Sequence, residues 1–168
     1  MKLLVMSDTH SDIETMERVM HRHLDVDAFI HCGDSELDYS YFENGSIHVV
    51  QGNCDFDFNF PTEVITQVGN ETIYVAHGHL HQVKSTLMPL SYRAAEVRAS
   101  LVCFGHSHLL GAEMHKNVLY VNPGSLHLPR GRKEKSYAIV EKLEKEWHVT
   151  FFSSEYELLE SASFTLET

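Results

Sequence analysis

Two histidines, His106 and His108, stand one residue apart where the apolar run LVCF stops at a glycine. Such a run reads as a buried strand ending in a tight turn, which places both imidazoles in the loop at the strand's carboxyl end. That is where open α/β sheets bind ligands. In extended backbone alternate side chains point the same way, so the pair is expected to aim at neighbouring points, as two adjacent metal ions would require. The pattern recurs along the chain. After KLLVM come Asp8 and His10, after FIHC come Gly33 and Asp34, after VVQ come Gly52 and Asn53, and after TIYVA comes His77. Singly, D-x-H is a helix cap beside a histidine, and G-D and G-N are ordinary turn dipeptides. Together they bring seven oxygen or imidazole donors to five strand ends, and such a set converges on one crevice.

Carboxylate and imidazole donors suit Mn²⁺, Fe²⁺, Zn²⁺ or Ni²⁺, and the absence of cysteine among them argues against a structural zinc site. Two divalent ions held ~3.5–4 Å apart can share a water, lower its pKa towards neutrality and clamp a phosphoryl group for in-line attack by a metal-bridging hydroxide. No protein nucleophile is needed, and Asp8, Asp34 and Asn53 become catalytic as well as metal-holding candidates. Charge is consistent: two dications, less the carboxylates of Asp8 and Asp34 and one hydroxide, leave about one positive charge, matched to a phosphodiester monoanion.

Positioning these residues requires a particular set of elements. KLLVM is a short apolar strand, and DIETMERVMHRHL carries Ile13, Met16, Val19 and Met20 at helical spacing behind an Asp12 or Ser11 cap. DAFIHC and SIHVVQ follow as further strands, giving three parallel strands, with Tyr39, Tyr41 and Phe42 in a connecting segment of one or two helical turns. EVITQV and TIYVAH flank Gly69-Asn70, a hairpin signal, and SYRAAEVRA is a helix. GAEMH with NVLYVN, and SYAIVEKL with EWHVTFF, make two more hairpins, split at Lys116-Asn117 and near Glu144-Lys145. Parallel strands early and hairpins late describe an α/β fold, a two-sheet β-sandwich flanked by helices in four layers, formed by residues 1–168 as a single domain.

The 168 residues, 43% of them hydrophobic, suffice for one core. No apolar run approaches the ~20 residues of a membrane span, and the first ten residues turn polar too soon for a secretory signal, so a cytoplasmic location without membrane association is expected. Cys32, Cys54 and Cys103 lack C-x-x-C spacing, and buried thiols are expected for Cys32 and Cys103. A net charge of −11 disfavours a large nucleic-acid partner but leaves a small phosphate ester open. A homo-oligomer is compatible with these features.

In order, D-x-H, G-D, G-N, H-G-H and G-H-S-H at these strand ends resemble the calcineurin-like metallophosphoesterases, over positions 8 to 130. GNCD at 52–55 and NPGS at 122–125 look most like the small bacterial and archaeal phosphodiesterase branch. The resemblance implies that Asp8, His10 and His108 hold one metal, that Asn53, His77 and His106 hold the other, and that Asp34 bridges them. It implies hydrolysis of phosphate esters, phosphodiesters first, with a phosphomonoesterase or a non-catalytic metal-binding scaffold as the alternatives. The full ligand set favours the enzyme, because a scaffold has no need of all seven. Many relatives place histidine directly after the asparagine ligand, where it can protonate the leaving oxygen. Here that position is Cys54, a poor substitute, and losing general-acid help worth ~10²–10⁴-fold should favour substrates whose alcohols leave easily unless His79 or a water takes over. His79 is the first candidate, ahead of His81. Asp55 can hold a ligand imidazole or cap the next loop, Asn122 to Ser125 can line the pocket, and Arg130 is a candidate phosphate contact.

Overall fold

The computed structural model describes residues 1–43 and 47–166. Chain order gives β1 (Lys2–Met6), α1 (Ile13–Arg22), β2 (Ala28–His31), a 3-10 turn at Tyr39–Tyr41 and β3 (Ile47–Val49). Next come β4 (Glu63–Val68), β5 (Glu71–Ala76), a second 3-10 turn at His79–His81, α2 (Met88–Glu96) and β6 (Leu101–Cys103). The chain continues through β7 (Leu110–His115), β8 (Val118–Pro123), β9 (Ser136–Leu143), β10 (Glu146–Ser153) and β11 (Leu158–Thr165). One sheet runs β11-β10-β9-β1-β2-β3 and the other β4-β5-β6-β8-β7.

Alternation on the strands dictates the layers. On β1, Leu3 and Val5 face one way, into a core shared with Ile73, Val75, Leu101, Val121 and Trp147, so this cluster lies between the two sheets. Leu4 and Met6 face the other way, against Met16 and Val19 of α1. Across the molecule Tyr74, Val102 and Tyr120 pack outward onto Leu90 and Ala94 of α2. The result is the four-layer sandwich expected, helix, sheet, sheet, helix. Asp12 caps α1 by accepting from the Thr15 N–H at 3.1 Å, which decides between the two capping candidates.

β1, β2 and β3 pair in parallel, as do β5, β6 and β8. Their carboxyl ends therefore share a direction within each sheet. The three hairpins form at Gly69-Asn70, Lys116-Asn117 and Glu144-Lys145. One local expectation is revised. α2 starts at Met88, ahead of the expected Ser91, because Pro89 suits the first turn of a helix, and it stops before Arg98, whose φ is +55°. β11 carries no strand signal strong enough to anticipate, yet it pairs with β10 along the edge. Ser46, the expected start of SIHVVQ, lies outside the described residues.

Candidate metal centre

Each strand end delivers its side chain through a tight turn. Asp8, His10, Asp34, His106 and His108 all have left-handed backbone, with φ between 43° and 68°. Such angles cost a non-glycine residue ~1–2 kcal/mol each and persist only where the surroundings over-determine them. His106 and His108 thus converge by a different route from the extended geometry expected of them, with paired left-handed turns in place of strand alternation. The neighbouring glycines answer a need for close approach. A Cβ on Gly52 would collide with the Asp34 carboxylate and amide, and one on Gly105 with the Ser7 hydroxyl and Asp8.

Asp8, His10, Asp34 and His108 offer ligand atoms all within 4.8 Å of one another. Asp8 Oδ1 lies 3.0 Å from His108 Nε2 but makes no hydrogen bond, and the buried His10 Nε2 has no hydrogen-bond partner. Buried polar atoms without partners are rare, and here they share one point. Beside this group, His77 Nε2 lies 3.1 Å from Asn53 Oδ1 and 3.4 Å from Asp34 Oδ2. The His106 ring stands 5.0 Å from that of His77. Asp34 therefore touches both groups.

The imidazoles are aimed from behind. His77 Nδ1 donates to the Cys32 carbonyl at 2.7 Å, His108 Nδ1 to the Leu128 carbonyl at 2.6 Å, and His10 Nδ1 to Glu36 Oε1 at 2.7 Å. Each bond holds a proton on Nδ1 and turns Nε2 inward, where its lone pair can ligate a metal once the ring is neutral. Asp55 plays neither role expected of it. Its carboxylate accepts from the N–H groups of Asp34, Glu36 and Gly52 and from the Ser35 hydroxyl, at 2.7–3.0 Å. It ties the loop after β2 to the loop after β3. The fully buried His31 joins the loop after β1 to β2: its Nδ1 accepts from the Gly33 N–H and its Nε2 donates to Thr9 Oγ1.

Electrostatics follow from these contacts. Burial opposes ionisation of Asp8, but the His108 imidazole and the Ser7 hydroxyl outweigh it and hold the carboxyl below the usual range. Asp34 is likewise held down, against burial, by His77 and the Cys54 N–H, which donates to Oδ1 at 2.7 Å. Burial, then the charges of His77 and Lys84, depress His106 to about 4, so its imidazole stays neutral and able to ligate.

His79 enters the site, its ring 5.3 Å from His77 and 6.1 Å from His106. His81 does not. It turns to the Tyr74 hydroxyl at 3.2 Å. Asn122 and Ser125 brace the site: Asn122 Nδ2 donates to the Gly105 carbonyl and Ser107 Oγ, and Ser125 Oγ donates to the Asp8 carbonyl at 2.8 Å. Two participants escaped the sequence reading. Glu36, two residues beyond Asp34, holds His10, and His127, two beyond Ser125, places its ring 6.2 Å from His10. Both lie just past strand ends already singled out, β2 and β8, and that position was the available signal.

A layered sandwich with acid, amide and imidazole side chains gathered at parallel strand ends defines a metal-dependent phosphoesterase architecture. The model of the calcineurin-like phosphoesterase superfamily domain matches residues 1–145, and the chain belongs to that superfamily. It is 45% identical over 141 residues to the probable metallophosphoesterase YsnB of Bacillus subtilis, covering 83% of each chain. Among solved structures, it is similar to a conserved uncharacterized protein of Streptococcus pneumoniae, a predicted phosphoesterase. That match has a TM-score of 0.93, 36% identity and coverage of 98% and 97% of the two chains. A novel archaeal phosphodiesterase shares the fold at a TM-score of 0.72 and 21% identity, over 90% of this chain and 100% of that one. No helix among the described residues is long and apolar enough to cross a membrane.

Proposed function

We propose that the protein is a phosphodiesterase with a dinuclear metal centre, acting on a small substrate in the cytoplasm, and that residues 1–168 form one catalytic domain. Asp8, His10 and His108 would hold one ion, Asn53, His77 and His106 the other, and Asp34 would serve both. The observation that carries this reading is the convergence of inward-facing Nε2 and carboxylate atoms, two of them buried without partners. Oxygen and imidazole donors suit Mn²⁺, Zn²⁺, Ni²⁺ or Fe²⁺. When bound, such ions supply an acidified water and Lewis-acid polarisation of the phosphoryl group.

The chain's own residues do the rest. Cys32, Leu128 and Glu36 fix the imidazole tautomers, and Asp55 keeps the Asp34 and Asn53 loops in register. Hydrolysis forms one P–O bond from water and breaks another, releasing an alcohol and a phosphomonoester, and the departing alkoxide needs a proton. Cys54 is a poor source, because burial and then Asp34 push its thiol up to about 11. His79 stands on one side of the site and His127 on the other, and either imidazole can deliver that proton. His79 is the better placed of the two, beside both His77 and His106.

The test is a screen of metal-stripped protein against mono- and diesters with each divalent ion restored in turn. Diester hydrolysis with about two ions bound per chain is expected, and Asp34→Asn should weaken both ions. Hydrolysis of monoesters alone would make the protein a monoesterase. Two bound ions without hydrolysis of any ester would leave the scaffold reading.

A further inference from the structure

Beside the centre opens a cleft of about 610 Å³, within the ~300–1,000 Å³ typical of small-ligand sites. Val83 and Leu87, from the segment between the second 3-10 turn and α2, form one wall, and Phe104 and Leu109, from either side of the histidine loop, form another. Ser107, between His106 and His108, belongs to the lining, so the cleft opens directly off the metal-centre loop. Lys84 and Arg130 line it too, against the single carboxylate of Glu113. Neither cation forms an ion pair with a described residue, so both are free to meet an anion in the cleft. In a chain of net charge −11, two uncommitted cations on an apolar wall beside the site form a local exception.

The other flank of the centre has the opposite character. A smaller hollow of about 300 Å³ lies against Cys54 and Phe56, and its ionisable lining besides that thiol is Glu36, Asp38 and Asp57. A phosphodiester has two ester arms, and the two flanks discriminate between them by charge. An anionic arm is repelled by three carboxylates on one side and attracted by two cations on the other.

We propose that the larger cleft is a specificity site for one ester arm of the substrate, a ring-sized apolar group bearing an additional anionic substituent, with Lys84 and Arg130 as the residues that select it. The apolar walls take the body of the arm, and the two cations fix which arm enters. The acidic hollow takes the other arm, small or uncharged. The catalytic part of this inference rests on the phosphodiesterase reading, and the binding part stands without it.

Two diesters with the same 4-nitrophenol leaving group test the proposal, one with a phenyl and one with a 4-carboxyphenyl second arm. For the wild-type protein the carboxylate should lower KM about tenfold, the combined effect of two exposed ion pairs. In the Lys84→Ala/Arg130→Ala double variant the ratio of the two KM values should fall to near one, and Lys84→Glu should invert it. In parallel, 4-carboxyphenyl phosphate is titrated into zinc-loaded and into metal-stripped protein and followed by amide NMR shifts. Shifts at Gly111 and Ala112, on the cleft wall, are expected in both forms, and these should weaken in the double variant. Equal KM values in the wild type, or shifts confined to the ligand loops, would overturn the inference. If no diester is hydrolysed at all, the phosphodiesterase reading fails, and the titration alone decides the cleft.

Discussion

Acid should destabilise this protein through one buried imidazole that touches no substrate. His31 is wholly buried, and burial depresses its pKa from 6.5 to about 4. Both ring nitrogens are engaged in the neutral state: Nδ1 accepts and Nε2 donates, which leaves no room for a second proton without losing the Gly33 contact. The unfolded chain takes up a proton on this residue below pH 6.5, while the folded chain resists until about 4. Between those values the unfolded state binds more protons, so stability falls as pH falls, and the loss is complete once both states are protonated. Integrated from about pH 7.5 to about pH 4.5, this single group costs roughly 2.5 kcal/mol. The measurement is urea unfolding of metal-stripped protein at the two pH values, for the wild type and for His31→Gln, which keeps an amide donor and acceptor but cannot titrate. The variant's pH dependence should be smaller by about 2 kcal/mol or more, whatever its stability at neutral pH. Equal pH dependence in the two proteins would refute the reasoning, because the remaining histidines are common to both.

Three further outcomes follow from the site. Asp55→Asn faces an amide NH₂ towards N–H donors, so it should lower stability by about 2–4 kcal/mol and metal affinity by about ten- to a hundredfold, read by urea unfolding and equilibrium dialysis. A thiol reagent at mildly alkaline pH should label Cys54 slowly in the native state and reach Cys32 and Cys103 only after unfolding, because burial pushes both of their pKa values up and encloses them. Mass spectrometry of the labelled protein checks this, and early labelling of Cys103 would contradict it. Cys54→His should raise turnover of an alkyl diester more than that of a nitrophenyl diester where neither His79 nor His127 already supplies the acid. If wild-type rates are instead insensitive to leaving-group pKa while hydrolysis limits turnover, alanine at His79 or at His127 should expose the dependence.

The strand ends were legible because short apolar runs closing on glycine carry their signal locally. KLLVM, TIYVA and LVCF became β1, β5 and β6 within a residue or two, and each hairpin turn fell at its Gly-Asn, Lys-Asn or Glu-Lys pair. β11 was illegible because LLESASFT offers Ser161, Ala162 and Ser163 where a strand signal needs bulk, and its pairing shifts between Phe151 and Phe152. The partners of His77 and His108 are the carbonyls of Cys32 and Leu128, and a backbone oxygen leaves no mark in a sequence. Asp55 was noticed but misassigned, since its identity shows an acceptor and not which donors a turn will bring to it. His106 and His108 were placed together for a reason the backbone does not use, their left-handed turns replacing the expected extension.

The sheet order bears on how such a chain acquires its metal during synthesis. β1 pairs with β2 on one side and with β9 on the other, Lys2 opposite Glu141 and Val5 opposite Ala138. Asp8 therefore leaves the ribosome more than a hundred residues before the strand that completes its sheet, and a hundred before His108. A nascent chain holding only Asp8, His10 and Asp34 can offer an ion no closed set of donors, and contacts of such long sequence separation form late. On the proposed ligand assignment, the complete donor set would assemble only once translation of the domain is nearly finished. An ion bound at the proposed centre would then meet the assembled donors and not a loose carboxylate pair that any abundant cation could occupy.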